Sequence, residues 1–576
     1  MNPYFIVFGP NRTSKSGAAT KTRVVPALQA GAMLLAWWIS GGGPAWGQNQ
    51  VRLDLVDADT RDSIPARIEF APKSKKPKPD RSILSSGETW LAEGMLSFPP
   101  QPGDYEFLVQ RGPEFNSVRG GFTAQRGSRD TVFIEVPRSI DMHAEGWYSG
   151  DLSSDLEPSR LQRWQAADAI DMVVHAASPN AADGAKAPER PATSTLRRQE
   201  LSDAPKWDGP REVGYRWLSS SIEYRLPTVG LAIHRLPRFQ EKSDPPARPL
   251  DSNAPRAVQD PYDDLESIEA DPDAFAEITQ LLAGDLPILL AHPKVRCARV
   301  LHVANRPRQD DPLELDRNSE DHLFATWTAD LGKLRWTVPV LAPFPDRDQI
   351  RFRGPRGAGQ LSEAIHWMAL NAGLRLPPTA ASGFQAGKTH LGYNRVYAYC
   401  DSEPTPESWW HAILQGESFI TNGPLLRVKI NDVPPGTVQG SYRSEPIPLG
   451  IDVSLSVRDP VDYLDVVFNG ETIYNAKLED HYRRGEFPPL EIQTTGWLVV
   501  RVVTAHEEGY RVASTAPFYF DFGEGTRIDR KAVEFFLEWL ARAAASPGGG
   551  TARSQARERA VERAKQFWEQ RLAESK

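Results

Sequence analysis

The sequence predicts an α/β chain: a stretch of alternating strands and helices, flanked by two antiparallel β-sandwiches and followed by a helical tail. Three patterns carry this expectation. Apolar residues fall at every second position from Val51 to about residue 139, short apolar runs alternate with helical segments after Met142, and strict alternation returns from about Leu426 to Phe522. At 576 residues the chain is long for a single core, and its 40% hydrophobic and 25% charged residues are ordinary for packed domains.

Ahead of the first strand, Arg12, Lys15, Lys21 and Arg23 form a basic leader, followed by the apolar run VVPALQAGAMLLAWWI and the small-residue run SGGGPAWG. That order predicts a secretory signal over 1–47, cleaved after Gly47, and export to the periplasm or outside the cell. The competing reading is an uncleaved anchor, but the run from Val24 to Ile39 is shorter than the ~20 residues a spanning helix needs and contains Pro26 and Gln29. No later segment is apolar enough to span, so no membrane partner is expected once the signal is removed.

The first sandwich, 51–139, rests on the strands VRLDLVDAD, PARIEFAP, DYEFLVQRG and TVFIEVP, separated by turns such as FPPQPGDY. Its "PGxY" turn leading into a strand resembles the carboxypeptidase-regulatory or transthyretin-like sandwich. In the β/α region, 141–427, LQRWQAADAI reads as a helix followed by the strand DMVVHAA. DPDAFAEITQLLAG reads as a second helix, with Asp271 as N-cap, Pro272 in the first turn and Gly284 as its stop. Pro287 to Ala291 then reads as a buried strand that delivers His292 at its end. Two Pro-rich charged stretches, 181–211 and 240–260, read as surface insertions.

The second sandwich, 428–523, contains IDVSLSV, LDVVFNGETI and WLVVRVVTA, with a hairpin turn at Asn469 and Gly470. In the tail, 524–576, AVEFFLEWLARAAA and a last charged helix are separated by SPGGG. Val561, Ala564, Trp568 and Leu572 share one face of the last helix. A net charge of −8 offers no extended basic face, so nucleic acid is excluded as a partner. Cys297 and Cys400 leave open either one disulfide or two free thiols.

Two stretches carry a family resemblance. GWYSGDLSSD, Gly146 to Asp155, and LGYNRVYAYCDSEPTPESWWHAILQGESFITNGPLLR, Leu391 to Arg427, resemble the opening and closing motifs of the CehA/McbA branch of the PHP-domain metallohydrolases. The resemblance implies a distorted β/α barrel with metal ligands at the carboxyl ends of its strands. It also implies an HxH pair on the first strand, whose alternation aims both imidazoles at one ion. Ser153 and Asp155 stand at those positions, and the later "DxH" has no counterpart in AASGFQAGK, Ala380 to Lys388. The metal candidates that remain are Asp151, Asp155, His175 and His292, with His292 matching a strand-end "HP". Zn or Mn is the implied ion if the site works; otherwise no cofactor is expected. Three functions follow: a non-catalytic barrel whose cleft binds a small molecule or a protein, or serves assembly; a hydrolase of phosphoester or amide-like substrates with a reduced site; or a surface or wall binding protein acting through its sandwiches.

Overall fold

The structure, a computed structural model, describes residues 4–8, 50–71, 83–86, 89–156, 158–177, 217–226, 228–236, 260–301, 356–383, 390–440, 445–484, 486–505, 510–545 and 554–576. The four strands expected in the first sandwich form at Val51–Asp57, Pro65–Phe70, Gly103–Gln110 and Thr131–Val136, joined by Thr89–Glu93, Met95–Phe98 and Val118–Ala124. They make two sheets whose inner residues, Leu53, Ile68, Phe98 and Val109 among them, share one core. The PGxY turn has a local cause: the Tyr105 hydroxyl accepts from Gln101 N at 2.9 Å and donates to Gln101 O at 3.1 Å, closing the turn on itself.

The central sheet is built from β1 (Trp147–Ser154), β2 (Met172–Ala177), β3 (Trp217–Arg225), β4 (Gly230–Arg235), β5 (Ala274–Ile278), β6 (Val295–Leu301), β7 (Pro378–Ala380), β8 (Arg395–Tyr399) and β9 (Ser418–Thr421). Its spatial order is β7-β6-β5-β4-β3-β2-β1-β8-β9. Strands β1, β2, β3, β5, β6 and β7 all point the same way, while β4 and β8 run against them. The sheet bends round on itself, because β7 at one end lies in contact with β1, β8 and β9. Helices α1 (Pro158–Ala167), α2 (Pro261–Ser267), α3 (Leu286–Leu290), α4 (Gly357–Asn371) and α5 (Pro406–Gln415) belong to this region, but strand outweighs helix in the described chain. Both cysteines are unbonded, Cys297 buried and Cys400 half-buried.

One pair of elements is the reverse of the sequence expectation. The stretch read as a helix from Asp271 contains strand β5, and the run read as a strand, Pro287 to Ala291, is helix α3. A short apolar run has no periodicity that separates a buried strand from a buried helix. Pro287 sits in the first turn of α3, where its missing N–H costs nothing, and Asp271 caps only a turn by accepting from Asp273 N at 3.0 Å.

The second sandwich is not a separate body. Its sheet continues the central one: β9 pairs with Val512–Thr515, which pairs with Gly496–Thr504 and onward to Val461–Phe468. The opposing sheet pairs Leu425–Ile430 with Ile451–Val457. The Asn469-Gly470 hairpin forms as expected, both residues at positive φ (51° and 85°). Strand Tyr4–Phe8 adds to the edge of Ile451–Val457, while 9–49, with the apolar run and the expected cleavage point, lies outside the described residues. So do the expected insertions, apart from Asp260. No described helix is long and apolar enough to cross a membrane.

The tail helices, α6 (Arg530–Ala545) and α7 (Gln555–Glu574), pack on each other and on α2 and α3. Trp539 donates to Gly284 O at 2.8 Å and Trp568 to Pro287 O at 2.9 Å. Arg557 grips Asp285 with two bonds of 2.8 Å, and Tyr262 donates to the same carboxylate at 2.6 Å. The expected face is the docking face: Ala564 and Trp568 are buried, and Val561 and Leu572 pack beside them.

Candidate functional site

The two motif-bearing segments meet in space. Strand β1 pairs with β8, and Trp409 of α5 donates to Tyr148 O at 2.9 Å. Gly150 is required at this crossing, since a Cβ there would stand 2.4 Å from the Trp409 ring. Asp151 joins the ends of the same assembly, accepting from Ser382 N at 2.9 Å and Gly392 N at 2.7 Å. Gly392 has φ +68°, a conformation that favours glycine. Arg395 then bonds three backbone carbonyls, those of Asp168, Ala169 and Gly392. The LGYNR motif is therefore a set of clamps.

The inner face of the sheet carries charge where an apolar filling would be usual. Strand register sets Glu223 of β3, Ala232 of β4 and Glu277 of β5 in one row, so a residue with almost no side chain lies between two carboxylates. Arg299 of β6 bonds both. It donates to Glu277 Oε1 at 3.1 Å and Oε2 at 2.8 Å, and to Glu223 Oε1 at 3.0 Å. His234 Nε2 meets Glu277 Oε2 at 2.9 Å, and Thr379 of β7 donates to Glu277 Oε1 at 2.5 Å. On the other side, Ser153 donates to Glu223 Oε2 at 2.7 Å while accepting from Arg225 Nη2 at 2.8 Å. The register slip in β1 between Asp151 and Ser154 falls beside Ser153, as a bulge does where a strand re-aims a side chain.

Glu223, Glu277, Arg299, His234, Ser153 and Thr379 are all buried. Burial alone would raise both glutamates. The Arg299 and Arg225 charges outweigh it at Glu223, holding its carboxyl at about 2, and Arg299 with His234 holds Glu277 below the usual range. The acids are thus ionised and Arg299 is their counter-cation.

The four residues expected as ligands do not converge. Asp151 is spent on backbone amides, and burial raises its pKa despite them. Asp155 lies 3.5 Å from Arg225 Nη1. His175 is on the wrong face: Met172 and Val174 point into the main core, Val173 packs with Leu161 and Trp164 of α1, and alternation puts His175 with Val173. His292 is at the wrong end. It follows α3 and precedes β6, so it lies at the amino end of a strand parallel to β1, whereas Ser153 and Asp155 lie at the carboxyl end of theirs. Both its ring nitrogens are engaged, Nδ1 by Lys294 N at 3.2 Å and Nε2 by Glu269 at 3.0 Å. Desolvation and the Arg563 charge push its pKa down to about 4.

His143 is half-buried. Its Nε2 meets Asp171 Oδ1 at 2.8 Å, and its ring stacks on Tyr148 at 4.8 Å. Desolvation would lower its pKa, yet the Asp171 bond and charge, with Glu114 and Asp141, raise it to about 9. Glu145 pairs with Arg427 at 2.9 Å.

The sequence reading missed Glu223, His234, Glu277, Arg299 and Thr379. A signal existed: Ser219, Ser221 and Glu223 share one face of β3 and end in a carboxylate, and Glu277 interrupts the apolar run AFAEI. Both become visible only once those runs are read as strands.

The centre does not fit a divalent ion as it stands. Every oxygen of Glu223 and Glu277 is already bonded, and the guanidinium among them would repel a second cation. Among the described residues, no group of three or more His, Cys, Asp or Glu side chains is arranged to hold a metal. No protein-family model, curated protein or solved structure matches this chain.

Proposed function

We propose that the chain is a non-catalytic protein on a PHP-type distorted β/α barrel, exported to the periplasm or beyond, whose cleft serves binding or assembly. One observation carries the reading: Arg299 sits between Glu223 and Glu277, among the buried side chains from which a metallohydrolase of this type would have to build its ion site. A hydrolase needs an ion with an open position for water. Here the positive charge is a guanidinium, which is permanently protonated and holds no water to activate. The motifs that carry the family resemblance are clamps and packing residues in this fold, so they can outlast the chemistry. The partner class is a small molecule or protein held by the cleft; no nucleic acid is expected, and no membrane once the signal is removed.

The test is elemental analysis of the purified protein after dialysis, followed by assay of chromogenic phosphoesters with added Zn²⁺ or Mn²⁺. The expected result is no retained metal and no turnover. One tightly bound metal per chain, with turnover abolished by Glu277→Ala, would overturn the proposal in favour of a hydrolase with a reduced site.

A further inference from the structure

We infer that a small organic acid, a carboxylate on a short apolar stem, binds in a cavity outside the barrel, where the end of α4, the second sandwich and the chain entering α6 meet. The site is separate from the centre described above and does not depend on how that centre is read. The cavity holds about 40 Å³, room for about three waters or one carboxylate group, and is partly open to solvent.

Its wall is a row set by strand register. Val438 of Val438–Gly440 lies beside Tyr519 of Phe518–Asp521, and Tyr519 lies beside Trp497 of Gly496–Thr504, so all three present one face. Val438 is 48% exposed, one of four large apolar side chains left open among the described residues, and it gives the row an uncovered apolar end. Arg375 supplies the charge. Helix α4 ends in a left-handed turn in which Gly373, at φ +80°, donates to Leu370 O at 3.0 Å and Leu374 N donates to Ala369 O at 3.1 Å. A Cβ on Gly373 would stand 2.6 Å from Arg571 Nη1, so the turn is held by packing as well. It delivers Arg375 over Tyr519, the guanidinium carbon 4.8 Å from the ring centre.

The donors of this charge are unspent. Among the described residues Arg375 has neither a hydrogen bond nor a carboxylate partner, whereas Arg527, the other arginine of the cavity, is paired with Asp529 at 3.1 Å. Asn469 adds a neutral donor. Its Oδ1 accepts from Trp497 N at 3.0 Å, which fixes the amide and leaves Nδ2 without a partner among the described residues. Gly496 permits that close pass, since a Cβ there would meet Asn469 Oδ1 at 2.2 Å. The cavity thus matches the two ends of an organic acid: Arg375 and Asn469 for its oxygens, Val438 and Tyr519 for its hydrocarbon. Asp521 also lines the cavity, and its negative charge opposes a doubly charged phosphate more than a singly charged carboxylate.

The experiment is isothermal titration calorimetry of the full-length protein at neutral pH with acetate, butyrate, benzoate and inorganic phosphate. Butyrate and benzoate should bind once per chain and more tightly than acetate, with phosphate the weakest. Arg375→Met keeps an unbranched stem at an exposed position without the charge, and should weaken both acids by about tenfold or more, the worth of one charge-assisted bond. Val438→Ser should remove the advantage of butyrate over acetate. Arg483→Met, which removes an exposed arginine outside the cavity, should leave all four titrations unchanged. Failure of butyrate and benzoate to bind the native protein would overturn the inference, and so would binding that survives Arg375→Met or a preference for phosphate. An acid held in the barrel cleft would ignore Arg375→Met, so that outcome sinks this site and leaves the proposed function standing.

Discussion

Two interior arginines in this molecule each bridge two carboxylates, and they do different jobs. Arg501 donates to Asp465 at 2.9 Å, to Glu363 of α4 and to the Tyr510 hydroxyl oxygen at 3.1 Å, and lies over the Trp367 ring at 4.9 Å. Its partners come from two layers, a helix of the central region and a strand of the second sandwich, so it is a joint. Arg299 has all its partners on the inner face of a single sheet and leaves a neighbouring imidazole nitrogen unused. Equal charge counts therefore do not imply equal roles. What separates them is where the partners originate and whether every polar atom is consumed.

The largest expected effect tests the joint. Arg501→Ala leaves Glu363 and Asp465 buried without their cation, and breaking such a pair costs about 3–5 kcal/mol. Urea unfolding should show that loss as a lower midpoint. An unchanged urea midpoint in Arg501→Ala would mean that Glu363 and Asp465 do not depend on this cation, and would remove Arg501 as a joint.

An intermediate effect is expected at a third buried pair. Arg557→Ala removes the two bonds to Asp285 that fasten the tail, a loss of about 2–3 kcal/mol for bonds to a charged group. Limited proteolysis should then cut between α6 and α7 sooner than in the native protein. An unchanged cleavage rate would mean that Trp539 and Trp568 hold the tail alone.

The smallest effect is a slope with pH. His143 titrates at about 9 in the fold against about 6.5 when unfolded. The folded state therefore holds this proton more tightly, so the His143 contribution is complete below about pH 6.5 and is lost as pH rises through about 9. Urea midpoints at pH 6, 7.5 and 9 should fall across that window, and Asp171→Asn should flatten the fall. A native slope that survives in Asp171→Asn assigns the proton elsewhere.

Much of the scaffold was legible before any coordinates. The four strands of the first sandwich announce themselves because one face is wet and the other dry, which writes a period of two into the sequence. The Asn469-Gly470 hairpin and the apolar face of α7 are equally local signals. The central sheet is harder because its strands are buried on both faces, so β5 is five buried residues with no wet face to mark the period. That is why β5 and α3 exchanged identities, and why His292 was expected at the wrong end of a strand.

By itself, then, the sequence determined the strands of the sandwiches and the tail helices, and placed Ser153 and Asp155 rather than histidines at the end of the opening strand. That Gly392, Arg395 and Trp409 of the closing motif clamp β1 and its neighbours is seen only in the tertiary structure. Only the tertiary structure decided what fills the centre. Glu223, Glu277 and Arg299 are separated by as many as 76 positions in the chain, and nothing local links them. Their meeting depends on strand register, which aligns two carboxylates across Ala232, and on burial, which makes an uncompensated negative pair too costly to leave without a cation.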